Sequence, residues 1–186
     1  MKCEMMQAAP TPAPAIAVGP TLPDLIAPDL TAVFCGLNPG LQAAASGHHF
    51  EGRGNRFWKA IHLAGFTDRE LRPAECGEFL LSGFGLATVV CRATASASEL
   101  AQGEYTDAAL DLVQRLNRFR PRYIAFLGKA AYAALSQQKH VDWGAQPQTL
   151  GASKVWVLPN PSGRNRGFGL AELVDAYSEF RLAISR

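Results

Sequence analysis

The chain has 186 residues, the size of one domain. Hydrophobic residues make up 48% and charged residues 18%, which suits a chain that folds around a core rather than a disordered one. No run of 18 apolar residues is present, and no apolar stretch long enough for a secretory leader follows Lys2, so neither a membrane span nor export is expected. The formal net charge of +2 leaves any anion binding to local patches.

Residues 1–23 are rich in Ala, Thr and Pro, with Pro10, Pro12, Pro14, Pro20 and Pro23 interleaved. Proline fixes φ and removes a donor, so this tail is expected to be extended or flexible, with a single domain over 24–186. The apolar run 31–38 reads as a buried strand that breaks at Pro39-Gly40. Phe57, Ile61 and Ala64 share one face of a helix over 56–64, with Gly65 as its stop. A second helix is expected near 75–81 and a second strand over 86–90. Thr106 is a candidate cap for a helix to 119, closed by Pro121. Residues 123–127 form a third apolar strand, running into Gly128-Lys129 and an alanine-rich helix to about 137. A fourth strand over 154–158 ends at Pro159-Asn160-Pro161, and a last helix covers 170–184.

Apolar strands alternating with helices predict an α/β fold with a mainly parallel sheet covered on both faces. In such sheets ligands bind beyond the carboxyl ends of the strands. The four strand exits are Asn38 to Gly40, Cys91 to Thr94, Gly128-Lys129, and Asn160 to Gly163. The segments 52–67 (Arg53, Arg56, Lys59) and 144–170 (Lys154, Arg164, Arg166) contain no acid. They suit phosphate contacts or a solvated face, and charge alone leaves both readings open. Lys129 is likewise either a phosphate contact at a helix N-terminus or a solvated lysine. Cys3, Cys35, Cys76 and Cys91 are too widely spread for a zinc or iron–sulfur spacing and read as reduced thiols of a cytoplasmic protein. His48, His49 and Glu51 sit badly for a shared metal, and no metal is expected.

Four motifs carry a resemblance. Gly36-Leu-Asn-Pro-Gly-Leu41, Gly47-His-His-Phe50, Asn55-Arg-Phe-Trp-Lys59 and Leu158-Pro-Asn-Pro-Ser-Gly163 resemble the mismatch-specific uracil-DNA glycosylases (Mug) and the related thymine-DNA glycosylases. These form a branch of the uracil-DNA glycosylase superfamily. The likeness runs from about residue 25 to about 183 and leaves only the tail outside.

The resemblance implies a three-layer α/β/α sandwich around a short, mainly parallel sheet. It implies a monofunctional enzyme that flips uracil out of G·U mispairs and hydrolyses its N-glycosidic bond, leaving an abasic site. Asn38 matches the catalytic asparagine. An amide is not a useful base near pH 7, so its task would be to orient a water beside the sugar. Leu37, Gly40, Ala43, His49, Phe50 and Asn160 match the base pocket, with Phe50 as the stacking platform; a core phenylalanine is the plain alternative. The small Ala43, with His49, implies room for a 5-substituent, hence activity on 3,N4-ethenocytosine and weakly on thymine. Ser162, Gly163, Arg164, Asn165 and Arg166 match the loop that enters the duplex, with Gly128 and Lys129 as phosphate contacts. Arg164 stands where some relatives have Leu, and Cys91 stands where some have Asp. Arg92 is read as a DNA or structural contact. The implied partner is double-stranded DNA, bound by a monomer without cofactor or metal. Two other readings stay open: a lesion or abasic-site binder with negligible turnover, and an unrelated nucleotide-binding α/β protein.

Overall fold

The computed structural model describes residues 21–185. The tail expected over 1–23 therefore lies mostly outside the described residues. Its last part is attached to the domain: Thr21 pairs with Arg92, and Leu22 is 2% exposed.

Five strands form one sheet in the order β2-β1-β3-β5-β4. They are β1 (Ala32–Gly36), β2 (Phe84–Thr88), β3 (Tyr123–Leu127), β4 (Gly144–Leu150) and β5 (Ser153–Leu158). The first three neighbour pairs are parallel, and β4 runs antiparallel along β5. The helices are α1 (Leu41–Ser46), α2 (Phe57–Leu63), α3 (Cys76–Leu81), α4 (Gln102–Phe119), α5 (Lys129–Ser136) and α6 (Leu170–Ile184). None is long and apolar enough to cross a membrane.

The strands bury both faces, so the side-chain alternation sorts the core into two halves. Ala32 and Phe34 of β1 face α2, α3 and α6, whereas Val33 and Cys35 face α4 and α5. The first half is aromatic: the Phe34 ring meets Phe57, Phe66, Phe79 and Phe180 at centroid distances of 5.3–5.8 Å. The second half is mostly aliphatic, built on Val33, Leu112, Leu116 and Ile124. This is the three-layer sandwich expected from the sequence.

Three elements differ from expectation. Strand β2 lies two residues earlier than 86–90; Val89 and Val90 instead donate their N–H groups to the carbonyls of Gly36 and Leu37 at 2.9 Å each. Helix α4 starts a turn before Thr106, because Glu104 accepts the Ala101 N–H at 2.9 Å and satisfies the helix start itself. Strand β4 was not expected at all. Its sequence, Gly-Ala-Gln-Pro-Gln-Thr-Leu, is polar and contains a proline. It works because β4 is an edge strand whose register shifts between Ala145 and Thr149, around Pro147.

The chain leaves β1 for β2 on one side and returns past it to β3 on the other. The topological switch therefore lies between the carboxyl ends of β1 and β3, where such sheets open a crevice. The loops after β1, β3 and β5 all meet there.

Candidate functional site

A cleft of about 1020 Å³ opens at these strand ends. Leu37, Asn38, Gly40, Ala43, His49, Phe50, Gly128, Lys129, Asn160, Ser162, Gly163, Arg164 and Asn165 all line it. Arg166 is on the same loop as Arg164 but is not among the lining residues.

Asn38 follows β1 and is clamped by the chain leaving β2. Its Nδ2 donates to Thr94 Oγ1 at 2.7 Å and approaches the carbonyls of Pro39 and Arg92 at 3.2 Å each. A carbonyl only accepts, so the amide orientation is decided: the NH₂ faces the protein and Oδ1 is left as the free acceptor. The backbone is held alongside, with Thr94 N–H donating to the Pro39 carbonyl at 3.1 Å. Thr94 is 4% exposed. Its position 56 residues from Asn38 hid this role from a motif-by-motif reading.

Phe50 lies stacked on Phe57, with centroids 3.9 Å apart and planes 22° apart. Its backbone takes φ +59°, a left-handed conformation that costs a bulky residue about 1–3 kcal/mol. One ring face thus rests on the core while the residue stays half-buried at the cleft wall. His49 is 3% exposed, and its Nε2 donates to the Pro23 carbonyl at 2.9 Å. Burial lowers its pKa, so the ring is neutral, with Nδ1 as its acceptor. His48 turns the other way, to Glu51 at 3.0 Å. Ala43 is 3% exposed and forms a small apolar wall. Neither Gly36 nor Gly40 is demanded by space: a Cβ at 36 would sit 3.7 Å from Phe50, and one at 40 would meet nothing within 4 Å.

Asn160 follows β5. Its Oδ1 accepts the Ser162 N–H at 2.9 Å, which leaves its NH₂ as the free end. Its Cβ lies 3.4 Å from where a Cβ at Gly128 would be, and Gly128 has φ +109°. Only glycine suits that close approach of the third exit to the fourth.

The family model of the uracil DNA glycosylase superfamily matches residues 23–181. The chain belongs to this superfamily. A solution NMR structure of a candidate uracil DNA glycosylase from Methanosarcina acetivorans is similar in fold. The two superpose with a TM-score of 0.61 at 19% identity, covering 89% of this chain and 98% of that one.

The superfamily acts on DNA, and the charges around this uracil-glycosylase-like cleft fit that partner. Arg53, Lys129 and Arg164 line it, and among the described residues Glu51 is the one acidic residue lining it, hydrogen-bonded to His48. The Lys129 Nζ stands 4.7 Å over the ring of Trp143, which meets Phe168 edge-on at 5.2 Å. Trp143 and Phe168 are cleft residues that the sequence reading missed; both come from polar, irregular stretches without periodicity.

Two basic residues do other work than phosphate contact. Arg56 donates to the carbonyls of Phe168, Ser162 and Asn165 at 2.6, 2.9 and 3.0 Å, with a weaker 3.4 Å contact to Pro161. Arg92 forms a two-pronged pair with Glu104, at 2.8 Å for each bond, and donates to the Glu99 carbonyl. That pair holds the Glu104 carboxyl down to about 2, and it makes Arg92 a structural contact. Asn165 is likewise engaged within its own loop, its Nδ2 on the Asn160 carbonyl at 2.8 Å and its Oδ1 accepting from Gly167 N–H at 3.1 Å.

Proposed function

We propose that the chain is a monofunctional, mismatch-directed uracil-DNA glycosylase. It flips uracil out of a G·U pair and hydrolyses the N-glycosidic bond, leaving an abasic site. The observation that carries this reading is the orientation of Asn38, a cleft-lining residue whose amide nitrogen is tied to Thr94, Pro39 and Arg92 while Oδ1 has no hydrogen-bond partner among the described residues. A fixed acceptor can hold a water by one of its hydrogens with the oxygen lone pair turned to the sugar C1′.

In this reading the flipped base lies against Phe50, which replaces part of the stacking lost from the helix. The free NH₂ of Asn160 hydrogen-bonds a carbonyl oxygen of the base and stabilises charge as the bond breaks. The C1′–N1 bond breaks with its electron pair going to the base. Water oxygen bonds to C1′, and the water's proton passes to solvent or to the departing base. No lysine nucleophile, metal or cofactor is required. With an amide rather than a carboxylate beside the water, and Glu51 engaged by His48, the reaction favours good leaving groups. Ala43 leaves room for 3,N4-ethenocytosine and, less well, thymine, because a hydrophobic wall discriminates one methyl by only about 1–3 kcal/mol. Arg164 enters the duplex behind the flipped nucleotide.

The direct test is alkali-induced strand cleavage of an end-labelled duplex with one G·U pair. Wild type is expected to cleave and Asn38→Ala to lose about 10²-fold or more in rate. Duplex binding without cleavage by either protein would favour a lesion-binding protein instead.

A further inference from the structure

We propose that Arg56 is a positioning residue that holds the 160–168 loop in its DNA-entering shape and so sets the enzyme's preference for duplex over single-stranded substrate. The proposal rests on the glycosylase reading above.

The loop between β5 and α6 has no regular structure. Within itself it is tied by five hydrogen bonds: Ser162 N–H to Asn160 Oδ1, Arg164 N–H to Ser162 Oγ, Asn165 N–H to the Ser162 carbonyl, Asn165 Nδ2 to the Asn160 carbonyl, and Gly167 N–H to Asn165 Oδ1. Its carbonyls at Pro161, Ser162, Asn165 and Phe168 all converge on one guanidinium. The Arg56 backbone N–H adds a bond to the Pro161 carbonyl at 3.0 Å. Four of the five guanidinium N–H donors are thereby engaged, so little is left for a phosphate. No carboxylate pairs with Arg56 among the described residues.

Two consequences follow from this geometry. In a trans peptide the C=O and N–H point in opposite directions. Drawing the Ser162 and Asn165 carbonyls onto Arg56 therefore turns the N–H groups of Gly163 and Arg166 away from it, and neither has a partner within the described residues. The loop presents donors outward because its acceptors are held inward. Next in sequence, Phe57 carries the Phe50 ring at 3.9 Å. Adjacent residues thus fix the base platform and the duplex-entering loop to the same turn of α2.

A single-stranded uracil needs the platform and the Asn160 amide at the start of the loop but not the duplex-entering residues 162–166, so a loss that is larger on duplex separates a positioning role from a general structural one. The test compares Arg56→Gln and Arg56→Lys with wild type in two measurements. Amide hydrogen exchange reads the loop directly, and single-turnover excision is measured on G·U duplex and on a single strand of the same sequence. Both variants are expected to raise exchange within 160–168 tenfold or more, with the strands of the sheet unchanged. Both are expected to lose at least tenfold more rate on duplex than on single strand. Lysine fails because three donors on one nitrogen cannot span four separated carbonyls. Unchanged exchange, equal losses on both substrates, or wild-type behaviour of Arg56→Lys would each overturn the proposal. If wild type excises uracil from neither substrate, the glycosylase reading fails. Affinities for a duplex with an abasic analogue and for the single strand then replace the rates, and a loss confined to the duplex still supports the positioning role.

Discussion

The two asparagines at the exits of β1 and β5 are the same residue type used with opposite polarity. Asn38 has its NH₂ tied to Thr94, Pro39 and Arg92 and offers an oxygen. Asn160 has its oxygen tied to the Ser162 N–H and offers an NH₂. The difference comes from the neighbouring backbone. The chain leaving β2 presents the Arg92 carbonyl and the Thr94 hydroxyl to Asn38, while the turn after Pro161 presents an N–H to Asn160. An acceptor suits a water and a donor suits the carbonyl of a departing base. The lesson is that the amide's partners, more than its identity, assign its chemistry.

Breaking the clamp on Asn38 gives the largest expected effect among its neighbours. Thr94→Val removes the 2.7 Å acceptor and frees the amide to rotate, with an expected loss of about tenfold to a hundredfold in single-turnover excision. Thr94→Ser keeps the hydroxyl and is expected to retain most of the rate. Equal rates in both variants would show that Thr94 does not orient Asn38. Phe50→Ala sharpens the comparison from the base side. Base–aromatic stacking is worth about 1–3 kcal/mol, so affinity for a lesion duplex is expected to fall about 5- to 150-fold. Unchanged lesion binding would return Phe50 to a core role.

The Asn160 side is probed by Gly163→Ala. A Cβ there would stand 2.7 Å from the Gly54 carbonyl oxygen, which forces the two loops apart. A loss of about 1–3 kcal/mol in urea-unfolding stability is expected, together with weaker duplex binding. Stability equal to wild type would mean that the two backbones separate freely. Arg164→Ala is a smaller change: the salt dependence of duplex binding is expected to decrease by about one phosphate contact. An unaltered slope would exclude a phosphate contact there.

The smallest effect is a pH dependence. Burial lowers the His49 pKa in the fold, so the unfolded chain binds a proton more readily. His49 therefore contributes stability above the ordinary histidine pKa of about 6.5, and that contribution is lost as pH falls below it. His49→Gln is expected to flatten the decline in melting temperature between about pH 6.5 and 5. An identical decline in both proteins would show that another group titrates.

Much of this arrangement was legible in the sequence because it depends on local pattern. Four apolar runs announced β1, β2, β3 and β5, and the residues just beyond them supplied most of the cleft. What escaped depends on contacts far apart in the chain. Edge strand β4 takes its form from pairing with β5 rather than from its own polar residues. Thr94 reaches Asn38 across 56 residues. Arg56 read as a surface cation because nothing local shows that the carbonyls of a loop more than a hundred residues later converge on it. The short helix α1, made of Leu-Gln-Ala-Ala-Ala-Ser, has too few residues for periodicity to show.

The most direct test of the two-asparagine account compares uracil with 5-fluorouracil, a better leaving group, in otherwise identical duplexes opposite G. Single-turnover excision is measured for wild type, Asn38→Ala and Asn160→Ala. If Asn160 stabilises the departing base, the better leaving group should rescue Asn160→Ala in large part and leave the deficit of Asn38→Ala unchanged. Equal rescue of both variants, or of neither, would contradict the division of labour between them.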